Sequence, residues 1–527
     1  MKTQIVLPLA MCVAAAVPIC MAQTPVSFTS VTSTSGETPA NIYAVDVNND
    51  GLTDIVQDSG VSPSGFTVSI NSGNGAFKAP VTYTLPANNG VYSSLADCIA
   101  PHDFNNDGKV DLAIPLANTN QIAVFLGNGD GSFQAPLITT AALPSGYTFT
   151  TAGCAAADFN GDGDIDLAAW TSNSSSNVTE LDVFEGEGNG DFDSTPHAAL
   201  AGPELQPDWQ VVVGDYNDDS VADIATITSI ENSEGAIAST TIHVLYGNDD
   251  LTFDDTTPYT YDGLMTIGSG DVNSDGITDL FALAGSANSA KQLGVFYGNT
   301  SKTFSDYWTD TSSTILVGAA PDSWYYQSQL AMADYNGDGR MDLAAIAFNA
   351  SGALKGYADF FLAGSDPGEF TTQTIDLAAT DTTETTPVSG LFSGSFLNPD
   401  VALNQSDNAG SPPHNTPSEL TALLNQDHNW FGPCKYPHAG KGMNICSLGT
   451  ATTSGSQFSV AADSFGNLRF IALWVDGTKV AEQHHTWGQH AYFSWAGKFA
   501  AGTHQATFVA GDIDHTEQKY VFTFTVQ

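Results

Sequence analysis

The sequence predicts an all-β protein: a seven-bladed β-propeller followed by a small β-sandwich. Three observations lead to that expectation. A nine-residue acidic pattern recurs six times at near-constant spacing. Downstream of the copies comes a strand, a Gly/Asn turn and a Phe-led strand. Towards the C-terminus both patterns give way to short strand-like runs of different composition.

At 527 residues the chain exceeds one ordinary core, so two to four domains, or one large repeat architecture with an added module, are expected. Acids outnumber bases 58 to 13, for a net charge of -45, which excludes nucleic acid as a partner. With 42% hydrophobic residues arriving in short bursts, the chain is not disordered. Its clustered Asp residues call for counter-cations, and calcium fits.

Residues 1–22 read as a secretory signal peptide, with Lys2, an apolar stretch from Ile5 to Ile19 and small residues before a cut after Ala22. Cys20 raises a lipoprotein alternative, but such sites need a small residue before the Cys and here it is Ile19. No later apolar run reaches the ~18 residues of a membrane span. A secreted, periplasmic or cell-surface protein, acting as a monomer without a transmembrane segment, is expected.

The acidic copies run Asp46–Asp54, Asp103–Asp111, Asp158–Asp166, Asp215–Asp223, Asp271–Asp279 and Asp334–Asp342, with first positions 57, 55, 57, 56 and 63 residues apart. That period suits a four-stranded blade. Positions one, three, five and nine carry oxygen side chains: Asp46, Asn48, Asp50 and Asp54; Asp103, Asn105, Asp107 and Asp111; Asp158, Asn160, Asp162 and Asp166; Asp215, Asn217, Asp219 and Asp223; Asp271, Asn273, Asp275 and Asp279; Asp334, Asn336, Asp338 and Asp342. With the carbonyl at position seven this is the hard, all-oxygen donor set that calcium takes. Position six is Gly in five copies and Ser220 in the fourth, so the fourth site is expected to be weakest. Position twelve, a Glu in EF-hands, is Gln57, Ile114, Ala169, Thr226, Ala282 or Ala345. β-type runs such as Asp111–Ile114 follow each loop, so the loops join strands.

The second signature appears in Val124–Phe133, Val244–Phe253 and Val295–Phe304. The two motifs together resemble FG-GAP repeats, also described as VCBS repeats, of bacterial secreted proteins and of the integrin α-chain propeller. The resemblance covers residues 23–427 and implies a propeller that binds ligands on the face opposite its calcium turns. Gly394–Leu403 reads as a degenerate seventh blade that keeps Asp400 but lacks the ligands between, and is expected to bind no calcium. Its missing outer strand is expected from Pro25–Val31 at the N-terminus, closing the ring.

Residues 428–446 read as a linker and 447–527 as a sandwich, with strands at Gln457–Ala462, Leu468–Val475, Lys479–Gln483, Ala491–Trp495, His504–Ala510 and Tyr520–Val526. Leu473–Val480, Ala501–Ala506 and Phe522–Val526 resemble bacterial immunoglobulin-like domains, which implies an immunoglobulin-like β-sandwich. Loss of the leader leaves Cys98, Cys154, Cys434 and Cys446 in an oxidising compartment. Cys434 with Cys446 and Cys98 with Cys154 are the expected disulfides; buried free thiols are the alternative. His484, His485, Trp487 and His490 invite a metal or sugar reading, against the plainer one of an exposed loop.

No G-x-S-x-G, H-E-x-x-H or phosphate-cradling Gly loop is present. A non-catalytic binding or adhesion protein for an extracellular glycan or protein is the first expectation. A calcium-dependent polysaccharide lyase or hydrolase is the alternative, since carboxylate pairs leave no local pattern. Tyr92, Tyr147, Trp209, Trp324, Tyr325 and Tyr326 fall in segments opposite the acidic loops and form the candidate ligand face; packing between blades is the competing reading for each.

Overall fold

Each acidic loop joins the first two strands of its own antiparallel sheet. The computed structural model describes residues 98–203 without interruption and, elsewhere, the strands named below with their adjoining turns. The first blade pairs Pro39–Val45, Asp54–Ser59, Gly65–Ser69 and Val81–Thr84 in sequence order. The second pairs Ala100–His102, Asp111–Leu116, Gln121–Phe125 and Leu137–Thr140, and the third Thr148–Ala157, Asp166–Asn173, Val178–Phe184 and His197–Pro203.

The fourth blade pairs Gln206–Gly214, Asp223–Glu231, Ile237–Gly247 and Phe253–Asp255, and the fifth Leu264–Gly270, Asp279–Gly285, Gln292–Tyr297 and Ser305–Asp310. In the sixth, Leu330–Ala333 and Leu316–Val317 both pair with Asp342–Asn349, followed by Lys355–Ala363 and Phe370–Asp376. The seventh is assembled from both ends of this region. Phe28–Thr34 lies antiparallel to Glu419–Asn425, with Phe28 opposite Asn425, and Pro399–Asp407 and Thr385–Ser395 complete the sheet. First strands of neighbouring blades touch from the second blade round to the seventh, and Pro39–Val45 of the first meets Thr385–Ser395 of the seventh.

The apolar runs after each loop are explained by burial on both faces. In Asp166–Asn173, Leu167 and Ala169 pack with Ile122 and Val124 of the second blade. Ala168 and Trp170 pack with Ile224 and Leu245 of the fourth. A strand covered on both sides has no use for polar alternation, so its sequence reads as a continuous apolar burst.

The C-terminal region forms two four-stranded antiparallel sheets. One orders Pro437–Gly440, Met443–Ser447, Ser456–Ser464 and His490–Gly497; the other orders Thr478–His484, Leu468–Val475, Gly502–Asp512 and Glu517–Val526. Residues 437–447, most of which were expected as linker, are therefore largely strand. Their alternation is short and interrupted by Gly, which hid it from pattern reading. No helix among the described residues is long and apolar enough to cross a membrane.

Candidate functional site: the acidic loops of one rim

The first Asp of each of the first five loops winds the backbone around itself. In the second loop Asp103 Oδ1 accepts the Asp107 N–H at 3.0 Å and Oδ2 accepts the Gly108 N–H at 2.8 Å, while Asn105 Oδ1 also accepts from Asp107 N at 3.0 Å. The third loop repeats this, with Asp158 accepting from Asp162 and Gly163 and Asn160 from Asp162. Asp215 and Asn217 do the same in the fourth, and Asp271 and Asn273 accept from Asp275 in the fifth. In the first, Asp46 and Asn48 accept from Asp50. Asp334, Asn336 and Asp338 of the sixth lie outside the described residues.

Ser220 adopts φ 74° and still donates its N–H to Asp215 Oδ2 at 3.0 Å, as Gly108 and Gly163 do to the first Asp of the second and third loops. The fourth loop therefore keeps its shape at the cost of a strained non-Gly residue.

Position nine, expected as a cation ligand, also makes a recurring pair of backbone bonds. Asp111 Oδ2 accepts the N–H of Phe104, at position two, and Oδ1 accepts that of Gly127, at the end of the third strand. The same pair of bonds recurs at Asp54, Asp166, Asp223, Asp279 and Asp342. Each of these carboxylates is fully buried. The ninth Asp thus clamps its loop to the third strand of the blade. Sequence reasoning, working from ligand spacing, missed the clamp; its visible counterpart was the Gly at the end of the third strand in four blades, replaced by Asn71 in the first and Ala363 in the sixth.

Burial pushes Asp111 up to about 7 and Asp166 up to about 8, and the carboxylates at positions one and five push the same way. Asp54, Asp223 and Asp279 are raised for the same leading reason. Lys109 is bonded to Asp107 at 2.7 Å in the second loop. Crowded buried carboxylates with hard oxygen donors are chemically suited to a divalent cation. Among the described residues, however, no three His, Cys, Asp or Glu side chains gather as a ready-made cage. The donor set fits calcium, with the first, third and fifth positions facing ring-closing backbone bonds that leave further lone pairs on their oxygens.

The FG-GAP-like repeat family matches residues 103–169, 158–226 and 271–345, each span running from the first Asp of one loop to just past the ninth of the next. These segments are FG-GAP-like repeats. No curated protein matches the chain by sequence. Among solved structures, BBS1N in complex with ARL6DN is 10% identical with a TM-score of 0.42, over 77% of this chain and 99% of that one. The SapL1 lectin in complex with alpha methyl fucoside is 11% identical with a TM-score of 0.32, over 65% and 97%. An exo-beta-1,3-galactanase from Phanerochaete chrysosporium is 10% identical with a TM-score of 0.28, over 68% and 92%. At these scores none carries an argument about ligand or activity.

Opposite the loops of the FG-GAP-like repeats, Tyr147 is half-buried and its hydroxyl lies 3.1 Å from Glu180 Oε1. Tyr92 stands on the short strand Val91–Tyr92 and Trp209 on Gln206–Gly214, while Trp324, Tyr325 and Tyr326 lie outside the described residues. Cys98 and Cys154 are joined as a disulfide, with Cα atoms 5.7 Å apart, between the inner edges of the second and third blades. Cys434 lies outside the described residues, so that pairing with Cys446 does too. His485 and Trp487 likewise lie outside them, and His484 and His490 sit at strand ends.

Two polar constellations were invisible in the sequence. Thr171 Oγ1 donates to buried Asp182 at 2.7 Å, and burial pushes that carboxyl up to about 6. At the equivalent place in the fourth blade, Thr228 Oγ1 lies 3.1 Å from His243 Nε2, and His243 Nδ1 lies 3.3 Å from Asp255 Oδ2. Thr228 is only 6% exposed and Asp255 is exposed, so this chain of bonds ties three strands of the fourth blade together from its interior to its outer strand.

Proposed function

We propose that the mature chain is a secreted, calcium-stabilised binding or adhesion protein that presents an extracellular glycan- or protein-binding face on its propeller. The observation that carries this reading is the employment of the repeat's carboxylates. The first and ninth Asp of the described loops accept backbone N–H groups of their own blade, so the recurrent acids serve the scaffold and not a reaction centre. The leader at 1–22 supports export, and the loops would then meet the millimolar calcium of extracellular fluid, to which their donor chemistry is suited. The immunoglobulin-like reading of the C-terminal sheets gives a spacer or second contact. A net charge of -45 disfavours polyanionic ligands, so neutral or cationic partners fit best.

The test is retention of the mature protein on an array of neutral, acidic and amino-sugar glycans and on extracellular-matrix proteins, with calcium and with chelator. Calcium-dependent retention, weakened by Tyr147→Ala without loss of folding, supports the reading. No retention on either surface sinks it.

A second reading, calcium-dependent polysaccharide degradation, draws on Glu180 and Asp182. They stand two residues apart on one face of a strand, about 7 Å along it, and Asp182 titrates near the pH where a general acid works. Asp182 is 2% exposed, which places this reading second. Release of reducing ends or unsaturated products, lost in Glu180→Gln, would establish it.

A further inference from the structure

We propose that the acidic loops load and release cation as one coupled rim and not as independent sites; this rests on the calcium reading above. The loops are bonded to one another across the seams between the first and second, second and third, and fourth and fifth blades. Asn49, at position four of the first loop, donates from Nδ2 to the Gly108 carbonyl of the second at 3.4 Å. Asn106, the equivalent residue of the second, donates to Asp164 Oδ1 of the third at 2.6 Å and lies 3.5 Å from the Gly188 carbonyl. The Gly190 N–H of the third blade also donates to the Phe104 carbonyl of the second loop at 2.9 Å.

At the seam between the third and fourth blades the third loop closely approaches the turn that follows Ile237–Gly247 of the fourth blade. A Cβ on Gly161, at position four of the third loop, would lie 2.6 Å from Asp249 Oδ1 of the fourth blade. Between the fourth and fifth loops the link is reciprocal. Thr278 N–H donates to the Asp215 carbonyl at 3.1 Å, and Asp215 N–H donates to Thr278 Oγ1 at 3.0 Å.

A second periodic contact runs beneath these bonds. Position two of the second, third and fourth loops places a ring against the Phe of the following blade: Phe104 on Phe192 at 5.6 Å, Phe159 on Phe253 at 5.8 Å and Tyr216 on Phe304 at 5.9 Å. The N–H of that same position-two residue is held by the ninth Asp of its own loop. Anything that draws the ninth Asp towards a cation therefore moves a ring seated in the next blade. Close-packed interfaces of this kind transmit displacement because they do not deform continuously. Asp215 shows the link most directly, being both the first donor of its loop and the partner of Thr278.

The experiment is a calcium titration of the full mature chain by equilibrium dialysis, with bound ions counted by native mass spectrometry. Coupling predicts a Hill coefficient above one. Asp162→Ala should remove the third-loop ion and weaken the remaining ions by roughly fivefold or more. Asn106→Ala, at an exposed position, and Thr278→Val should leave the ion count unchanged and lower the Hill coefficient. A Hill coefficient of one, with Asp162→Ala losing one ion and the rest binding as before, overturns the coupling while leaving the calcium reading intact. A wild-type chain that binds no calcium overturns the calcium reading, and the coupling with it.

Discussion

The carboxylate of Asp166 holds the N–H of Gly186, twenty residues downstream, at 2.8 Å while its other oxygen holds Phe159 N at 2.9 Å. A side chain at Gly186 would meet the Ile165 carbonyl at 2.2 Å, so the close approach needs Gly. Loop, second strand and third strand therefore meet on one buried acid.

Asp166→Ala leaves two buried N–H groups without an acceptor and should cost about 2–5 kcal/mol even in chelator. Asp162→Ala, at an exposed position, should cost under about 1 kcal/mol in chelator and show its main effect only with calcium present. Urea unfolding of both variants in each condition separates clamp from ligand; equal losses in chelator would refute the division.

Ser220→Gly should stabilise the protein by about 1 kcal/mol, because Gly adopts the positive φ of that position without the Cβ penalty. The comparison is the melting temperature of the variant against wild type, with chelator present so that metal affinity does not contribute.

Calcium at ~1 mM against a dissociation constant of ~0.1 mM would add about 1.4 kcal/mol per occupied site if sites were independent. Chelator should therefore lower the melting temperature. An unchanged value would reject calcium as a stabilising ligand.

The pH response of the metal-free protein has a defined sign. Asp111 and Asp166 have native values of about 7 and about 8, above the ordinary 3.8. Between pH 4 and 8 the native state binds more protons than the unfolded one, so these groups stabilise the fold at low pH and lose that effect as pH rises through 7 to 8. In chelator, stability should rise on acidification from pH 8 to 5.5. With calcium, which needs the ionised carboxylates, the gain should shrink or reverse.

Reduction of Cys98–Cys154, or Cys98→Ser with Cys154→Ser, removes a link that spans 56 residues and joins two blades. A loss of about 2–4 kcal/mol is expected. Denaturant unfolding with and without reductant measures it, and coincident curves would show the bridge to be dispensable.

Much of this protein was legible in its sequence. Ligand spacing and the 55 to 63 residue period are local or translational signals, so six blades and their loops could be read directly. Even closure by Phe28–Thr34 was readable, because the seventh blade lacked a partner for Glu419–Asn425 and the N-terminal segment carried the outer-strand pattern. What the tertiary structure decided are relations between residues that no period links. The clamp at Asp166 needs Gly186 to arrive from another strand. The bond between Asn106 and Asp164 needs two blades to stand side by side. Thr171 and Asp182 read as ordinary strand residues until pairing buries them together. Periodicity reports which face a residue takes, since burial acts on every turn of a repeat alike. Which distant oxygen meets which N–H depends on the packing angle between sheets, and that is set only when the whole ring is assembled.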